Sequence, residues 1–302
     1  MQHPLTILIP THGRPTLLKR TLESLKACEL PSTYHELVVI ENGSRDGAEK
    51  LVADLPEHLN ARYMHRECGN KSYALNKALK TIDDGLVVFF DDDVRVDPRT
   101  LEAYARAASD HDGGVFFGGP VEVDREEDPP EWIAPRFPSS VLGFDLVGRR
   151  MAENKFVGFN WATFAEDVKQ LGGFDPRFGP GSPSGATGQE GDMQDRMLSS
   201  GSQGIDVMNA KVAHHVPAQN VTLRWLLNRR IRDGVGRGIR LAKMGTPAFI
   251  AYIFRESLTG IGVLVKGLAF RDGERVSIAL CHLFWLRGIV KGYRWQRQHR
   301  ES

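Results

Sequence analysis

Short apolar runs alternate with segments of helical spacing along the first 90 residues. The predicted strands lie at 5–9, 37–40, 61–64 and 86–90, and the predicted helices between them lie at 16–28, 48–55 and 71–82. In the first of these helices, Leu18, Leu22 and Leu25 recur at the three- and four-residue spacing of one helix face. Strands that alternate with helices in this way predict an α/β fold with a mostly parallel, doubly wound sheet.

Beyond residue 93 the pattern is less regular. It predicts a helix at 98–109, strands at 115–117, 156–164 and 205–208, and a helix from Glu190 to Leu198. Residues 124–138 are acidic and Pro-rich, which predicts a segment of irregular structure. Residues 179–188 consist mainly of Gly, Ser and Pro, so we expect a mobile segment without regular structure there.

The amino-acid composition of the chain changes at about residue 221. Residues 221–302 carry 16 Lys/Arg and 5 Asp/Glu, whereas residues 1–220 carry 23 Lys/Arg and 33 Asp/Glu. The C-terminal segment is helical in spacing, with apolar and basic residues interspersed. This shift predicts two parts, residues 1–220 and a basic amphipathic helical extension at residues 221–302.

The bulk composition narrows the class of protein. Three widely separated cysteines among 302 residues predict neither a disulfide framework nor a zinc site, which favours a reducing compartment. The N-terminus lacks the basic and apolar regions of a signal peptide. No apolar stretch reaches the roughly 18 charge-free residues of a membrane-spanning helix. We therefore expect a cytoplasmic protein.

The strongest chemical signal is an apolar strand at 87–90 that runs directly into Asp91, Asp92 and Asp93. In open α/β sheets, ligands bind at the carboxyl ends of the strands. Three adjacent carboxylates repel one another, and Mg²⁺ or Mn²⁺, which prefers oxygen ligands, would relieve that repulsion. The alternative is a solvated acidic turn that merely ends the strand.

Five short motifs follow one another along residues 5–217. They lie at 7–11 (Ile-Leu-Ile-Pro-Thr), 40–44 (Ile-Glu-Asn-Gly-Ser), 91–93 (Asp-Asp-Asp), 172–175 (Gly-Gly-Phe-Asp) and 189–196 (Gln-Glu-Gly-Asp, then Arg). In this order they resemble the motifs of the family 2 glycosyltransferases. The second motif usually begins with Asp, and Glu41 replaces it here. The resemblance implies a GT-A fold, with a nucleotide-binding half at about 1–110 and an acceptor half at about 111–220. It also implies transfer of a sugar from a nucleotide-sugar, with inversion, to an acceptor hydroxyl.

The same resemblance implies roles for individual residues. Glu190 and Asp192 are the candidates for the catalytic base, and we favour Glu190, although either acid would also suit a helix N-terminus. Asp93 and Asp91 are the candidate metal ligands, with His215 as a third. The candidates for binding the nucleotide-sugar are Pro10, Thr11, Arg14, Glu41, Lys71, Asn76, Asp91 and Asp92. Glu41 would otherwise be a turn acid, and Lys71 and Asn76 an exposed helix start.

Several alternatives remain open at this point. A sugar-phosphate nucleotidyltransferase usually has a Gly-rich first loop, and residues 10–15 contain a single Gly. A non-catalytic protein of the same fold would bind carbohydrate or nucleotide without turnover. The segment at 234–238 (Gly-Val-Gly-Arg-Gly) superficially suggests a dinucleotide loop, but no predicted strand precedes it.

The expected partners follow from these assignments. They are a UDP-, GDP- or dTDP-linked sugar donor, Mg²⁺ or Mn²⁺, and a sugar or lipid-linked acceptor of cell-surface glycan synthesis. The basic extension either packs on the acidic catalytic part or lies on an anionic membrane at the inner face. It shows no motif that reads nucleic acid.

Overall fold

A computed structural model describes residues 3–147 and 155–299. The strands are β1 (Leu5–Thr11), β2 (Tyr34–Asn42), β3 (Ala61–Arg66), β4 (Leu86–Phe90), β5 (Val94–Val96), β6 (Val115–Gly118), β7 (Val121–Arg125), β8 (Asn160–Phe164), β9 (Gln203–Asp206) and β10 (Val212–Val216). The helices are α1 (Pro15–Lys26), α2 (Ala48–Ala53), α3 (Lys71–Leu79), α4 (Thr100–Ala108), α5 (Ser139–Leu142), α6 (Ala165–Gln170), α7 (Gln189–Ser199), α8 (Leu223–Leu241), α9 (Thr246–Ala269) and α10 (Gly273–Gln298).

Seven strands form the main sheet, in the order β3-β2-β1-β4-β8-β6-β9. Neighbouring strands are parallel from β3 through β4, and only β8 runs antiparallel to its neighbours β4 and β6. This confirms the predicted α/β fold with a mostly parallel sheet. The central strands are buried along their whole length, because helices cover both faces of a sheet of this kind.

A second, three-stranded sheet has the order β5-β10-β7. β5 follows the aspartate triplet directly, and β10 pairs antiparallel with it, so that His214 lies opposite Val94. This pairing brings the end of β10 back to the tip of β4. The sequence did not predict β5 or β7, because three- and five-residue strands flanked by charged residues carry little periodicity.

The chain divides into two compact units. The first consists of Met1–Asp124, Gly143–Gly181 and Gln189–His215, and the second of Arg125–Leu142, Ser182–Gly188 and Val216–Ser302, within the described residues. The first unit contains the main sheet. The second contains the three long C-terminal helices α8, α9 and α10.

Helices α8 and α10 of the second unit approach each other at glycines. A Cβ on Gly234 would lie 2.1 Å from the Trp285 carbonyl oxygen, and a Cβ on Gly288 would lie 2.1 Å from that of Ile231. Gly238 and Gly292 repeat the arrangement one turn further along each helix. The glycine-rich segment at 234–238 is therefore a helix-packing surface, because only residues without a side chain let two backbones come this close.

Residues 182–188 form neither a helix nor a strand, as the sequence predicted. Ser182 Oγ donates to the Ala186 carbonyl (3.1 Å), and the Ala186 N–H donates to Ser184 Oγ (3.0 Å). Ser184 and Ala186 are buried. Serine hydroxyls here pair with backbone groups that neither a helix nor a sheet satisfies.

Candidate active site

The register of β1 and β4 brings two predicted segments of the site together. Leu8 pairs with Phe89, so the residues after Ile9 lie beside the aspartates that follow Phe90. Both strands end at the same edge of the sheet because they are parallel. The Thr11 hydroxyl donates to Asp92 Oδ2 at 2.7 Å, which fixes the two strand tips to each other.

Arg14, just beyond the end of β1, pairs with two of the three aspartates. Its guanidinium lies 2.6 Å from Asp92 Oδ1 and 2.7 Å from Asp93 Oδ2. Asp92 is fully buried, and that burial raises its pKa to about 6 despite the opposing charge of Arg14 and the hydrogen bond from Thr11. Asp92 therefore links the tips of β1 and β4, and its neighbours Asp91 and Asp93 present their carboxylates to either side.

Asp93 lies against His214, not His215. His214 Nε2 is 3.5 Å from Asp93 Oδ1, and the His214 ring stacks on Phe159 at 4.3 Å between centroids. Burial alone would raise the pKa of Asp93, but the hydrogen bond and charge of His214 and the charge of Arg14 lower it to about 2.

His215, the predicted third metal ligand, contacts Asp93 through its backbone, and its assignment as a metal ligand stays a prediction. Its backbone N–H donates to the Asp93 carbonyl oxygen (2.9 Å). Successive side chains of a strand point to opposite faces, so the ring that faces Asp93 belongs to His214, the residue before it in β10.

Lys71, at the start of α3, reaches the first aspartate. Its Nζ lies 2.5 Å from Asp91 Oδ1. Burial alone would lower the pKa of Lys71, but the charges of Asp91 and Glu190 outweigh it and raise that pKa. Lys71 thus lies beside Asp91, and Glu190 is close enough to act on it electrostatically; the role of Lys71 in donor binding stays a prediction.

A cavity of 120 Å³ adjoins these residues in the first unit. It is lined by Pro10, Thr11, His12, Arg14, Asn42, Gly69, Lys71, Asp91, Pro180 and Gly181. Five of the predicted nucleotide-sugar ligands, Pro10, Thr11, Arg14, Lys71 and Asp91, are thus brought to one cavity. A larger cavity of 770 Å³, lined in part by Arg66, Lys80 and Lys169, lies away from the aspartates.

Helix α7 carries the two candidate bases, and its structure separates them. Met193 and Met197 are buried in the sheet-facing core, and Glu190 lies three and seven residues before them on the same side of the helix. Asp192 instead pairs with Arg196 at 3.0 Å. Arg196 also donates to the carbonyl oxygens of Leu171 (2.7 Å) and Gly173 (2.8 Å). The Asp192–Arg196 pair thus holds the Gly-Gly-Phe-Asp turn.

Glu190 forms no hydrogen bond or ion pair with another side chain within residues 3–147 and 155–299. Its aliphatic stem packs on Gly158, where a Cβ would lie 2.4 Å from Glu190 Cγ. Gly158 therefore leaves room for the stem, and the carboxylate remains available to a ligand.

Glu41 and Asn76 both form hydrogen bonds within the protein, and their predicted role in ligand binding stays a prediction. Glu41 is buried and accepts hydrogen bonds from the Asp46 N–H (2.7 Å) and the Tyr63 hydroxyl (2.5 Å). Asn76 exchanges two hydrogen bonds with the Phe174 backbone, at 2.7 and 2.8 Å. Both side chains are occupied because loop and turn backbone groups near the core need partners.

Sequence reasoning missed His12 and Gly158. The His12 ring is hydrogen-bonded to the Asn42 carbonyl and lines the cavity between the first two strand tips. Its position in the first motif's turn was a usable signal. No signal marked Gly158, because its importance depends on the approach of α7, which the sequence pattern does not specify.

The donor set here fits a divalent cation in its chemistry. Asp91 and Asp93 offer hard carboxylate oxygens, and His214 offers an imidazole nitrogen, a set that suits Mn²⁺ in particular. Among the described residues, no three His, Cys, Asp or Glu side chains are already arranged around a common point. Arg14 and Lys71 are the counter-ions of these carboxylates in the structure, so a cation bound there would compete with these two side chains.

Comparison with known proteins agrees with this geometry. Residues 6–165 match the sequence model of the family described as "Glycosyl transferase family 2". Succinoglycan biosynthesis protein ExoM of Rhizobium meliloti is 27% identical over 237 residues, which are 77% of this chain and 74% of that protein.

Validoxylamine A glucosyltransferase of Streptomyces hygroscopicus subsp. limoneus is 28% identical over 200 residues, 58% of this chain but only 44% of that protein. The chain thus spans less than half the length of that relative. The solved mannosyltransferase PcManGT from Pyrobaculum calidifontis, in complex with GDP-Man and Mn²⁺, superposes with a TM-score of 0.62 at 19% identity, covering 97% of this chain and 87% of PcManGT. That likeness shows the GT-A fold, and the family match covers more than half of the sequence. The chain therefore belongs to glycosyl transferase family 2.

Proposed function

We propose that the protein transfers a sugar from a nucleotide-sugar donor to an acceptor hydroxyl, with inversion at the anomeric carbon and with assistance from a divalent metal ion. The observation that carries this proposal is the state of Glu190. It is a carboxylate without a hydrogen-bonding partner among the described side chains, and it acts electrostatically on Lys71 beside Asp91. A general base needs this availability, whereas Asp192, the other candidate base, is engaged by Arg196.

Glu190 would take the proton of the acceptor hydroxyl as that oxygen attacks the sugar. A single base and direct displacement of the nucleotide lead to inversion. The departing diphosphate develops negative charge, and Arg14 and Lys71 present cations at the same cavity. These two side chains would exchange their aspartate partners for phosphate oxygens when the donor binds.

Asp91, Asp93 and His214 would hold the metal ion, which would neutralise the charge of the leaving diphosphate as a Lewis acid. PcManGT is crystallised with Mn²⁺, which supports a divalent ion in a protein of the same fold. The presence of an imidazole among the donors favours Mn²⁺ over Mg²⁺ here.

The donor is proposed to enter the cavity at the tips of β1 and β2, between Pro10, His12 and Asn42. The candidates are UDP-, GDP- and dTDP-sugars. The solved relative holds GDP-Man, so GDP-mannose is the first donor to test. Family membership favours transfer over the nucleotidyltransferase alternative, and the non-catalytic alternative becomes an outcome of the experiment below.

The acceptor is proposed to belong to cell-surface polysaccharide or glycolipid synthesis at the cytoplasmic face of a membrane. ExoM is named for succinoglycan biosynthesis, which supports the polysaccharide class. The excess of basic residues in the C-terminal extension supports work near anionic lipids.

The test is nucleotide release from UDP-, GDP- and dTDP-sugars with Mn²⁺ or Mg²⁺, with lipid extract as the acceptor source. Glu190→Gln should reduce release by at least about a hundredfold while donor binding persists. Asp192→Asn is the matched control on the same helix and should keep most of the rate, since Asp192 positions Arg196. Release that is unaffected in Glu190→Gln but lost in Asp192→Asn would move the base to Asp192. Donor binding without release in the wild type would support the non-catalytic alternative.

A further inference from the structure

Helix α9 exposes a long apolar face. Of the helices in the described part of the chain, it alone has the length and composition to cross a membrane, and only 11% of its most apolar window is buried. Six large side chains along it are between 48% and 65% exposed. We call them the α9 stripe: Ile250, Phe254, Leu258, Ile261, Val265 and Leu268. Exposed apolar surface on this scale marks an interaction site.

The α9 stripe is narrow and continuous. At about 100° of rotation per residue, its members fall within about 80° of the helix circumference. The opposite side of α9 already has a partner, because Phe249 stacks on Tyr293 of α10 and Gly260 packs against Leu283. The stripe is thus the outer face of an α9–α10 pair within the second unit.

The two basic residues of α9 lie beside the stripe, one near the middle of the helix and one in its last turn. Arg255 and Lys266 are exposed, and both lie about 60–80° beyond one edge of the stripe. Long basic side chains in this position reach the headgroup level while their stems cover apolar surface. The face therefore has the composition of a helix that lies in a membrane interface.

A spanning orientation conflicts with these positions. Arg255 and Glu256 lie within about 4 Å of the midpoint of α9, given a rise of about 1.5 Å per residue. Glu256 also faces α10, where its Oε2 lies 3.7 Å from His282 Nε2. A spanning helix would carry these charged groups into the centre of the bilayer, where charged side chains are most costly.

We propose that α9 lies in the plane of an anionic lipid bilayer, with the α9 stripe in the outer hydrocarbon and Arg255 and Lys266 at the phosphates. This deepens the proposed function, since it rests on the membrane partner suggested there and names the element that makes the contact. Residues 221–302 carry 16 Lys/Arg and 5 Asp/Glu, so a second copy of this surface would repel the first. Anionic lipid is attracted by the same charge.

The first test is flotation of the full-length protein with vesicles of phosphatidylcholine alone or with 30 mol% phosphatidylglycerol. Wild type should float with the anionic vesicles. Phe254→Ser combined with Leu258→Ser should weaken that binding at least about tenfold. Arg255→Gln with Lys266→Gln should weaken binding about tenfold to anionic vesicles only. Met208→Ser, at an exposed apolar residue of the first unit, is the control and should bind as wild type does.

The proposal is overturned if wild type fails to float, or if the stripe variant floats as well as wild type. A wild-type dimer in solution that the stripe variant converts to a monomer would assign the face to self-association instead. Binding is measured without turnover, so failure here is distinct from failure of the transferase proposal. A stripe variant that still releases nucleotide would also show that the catalytic unit has folded.

The second test separates an in-plane helix from a spanning one. Lys243→Cys and Gly273→Cys flank α9, and each is placed singly in a Cys68→Ser background, since Cys68 is an exposed native thiol. Cells that express each variant are treated with a membrane-impermeant maleimide before and after lysis. An in-plane helix on the cytoplasmic face leaves both positions unlabelled in intact spheroplasts and labelled after lysis. Labelling of either position in intact spheroplasts would show that α9 spans the membrane.

Discussion

The contact between α8 and α10 gives a sharp test of how glycine shapes the second unit. In Gly288→Ala, the new Cβ would lie 2.1 Å from the Ile231 carbonyl oxygen and 2.9 Å from Gly234 Cα. A normal contact is about 3.5 Å, so the two helices would have to separate by about 1.4 Å at this point. Both atoms that block the methyl group belong to the backbone, so no side chain can turn aside to admit it.

The magnitude follows from two opposing effects. Alanine is favoured over glycine in a helix by about 1 kcal/mol. Forcing a methyl group into a closely packed contact costs about 3 kcal/mol, the upper end of the usual range, because the whole interface must open. We therefore expect Gly288→Ala to destabilise the second unit by about 2 kcal/mol.

Gly262→Ala is the matched control, because a Cβ at Gly262 meets nothing within 4 Å. Gly262→Ala has the same gain in helix propensity and no clash, so it should stabilise the second unit by up to about 1 kcal/mol. Urea denaturation, combined with hydrogen exchange of α8 and α10 peptides, measures the change in stability for both variants. Exchange in the strands of the first unit serves as the internal reference. If Gly288→Ala and Gly262→Ala were equally stable, the close approach of the two helices would be wrong.

Two further predictions concern single side chains. Asn76→Ala should destabilise the first unit by about 2–3 kcal/mol, because two hydrogen bonds to the Phe174 backbone are lost, while nucleotide binding is retained. Urea denaturation measures the stability, and calorimetric titration with nucleotide measures the binding. Loss of binding at unchanged stability would instead support Asn76 as a nucleotide ligand. Burial, with the nearby charge of Asp97, raises the pKa of the Cys28 thiol to about 12. In the folded protein at pH 8, iodoacetamide should therefore modify the exposed Cys68 well before Cys28. Peptide mass spectrometry measures the two rates of modification. Because ionisation of Cys28 is easier in the unfolded chain, its contribution to stability should fall as the pH rises from about 9.

The location of the candidate site was predictable from the sequence, for a physical reason. A buried strand followed by three carboxylates can end only at the carboxyl edge of a parallel sheet, and neighbouring parallel strands end at the same edge. Thr11, Arg14 and Lys71 contact these aspartates in the structure, and their role in binding the donor stays a prediction. Their partners, Asp91, Asp92 and Asp93, follow from strand register, which the periodicity of β1 and β4 largely determines.

The sequence could not specify a side chain's direction where that direction depends on a distant element. The choice between His214 and His215 depends on the register of β10 against β5, and a shift of one residue exchanges the two rings. Glu41 and Asn76 were assigned to a ligand because both lie near strand tips and helix starts. Their backbone partners come from the loop at 46–48 and from Phe174, 98 residues after Asn76. The packing role of the α8 glycines likewise depends on the position of α10, which lies directly against them.

The charge balance at the strand tips explains how this edge of the sheet stays compact in the absence of ligand. Three aspartates lie side by side, and two of them are deeply buried, so their mutual repulsion would be severe without counter-ions. Arg14 neutralises Asp92 and Asp93 from the β1 side, and Lys71 neutralises Asp91 from the α3 side.

Both cations lie on long, flexible side chains, so each could leave its carboxylate if a metal ion held by the aspartates supplied the positive charge. The guanidinium and ammonium groups would then face the same cavity as the incoming diphosphate. We infer that one pair of side chains serves the folded protein first as counter-ions and then as phosphate ligands.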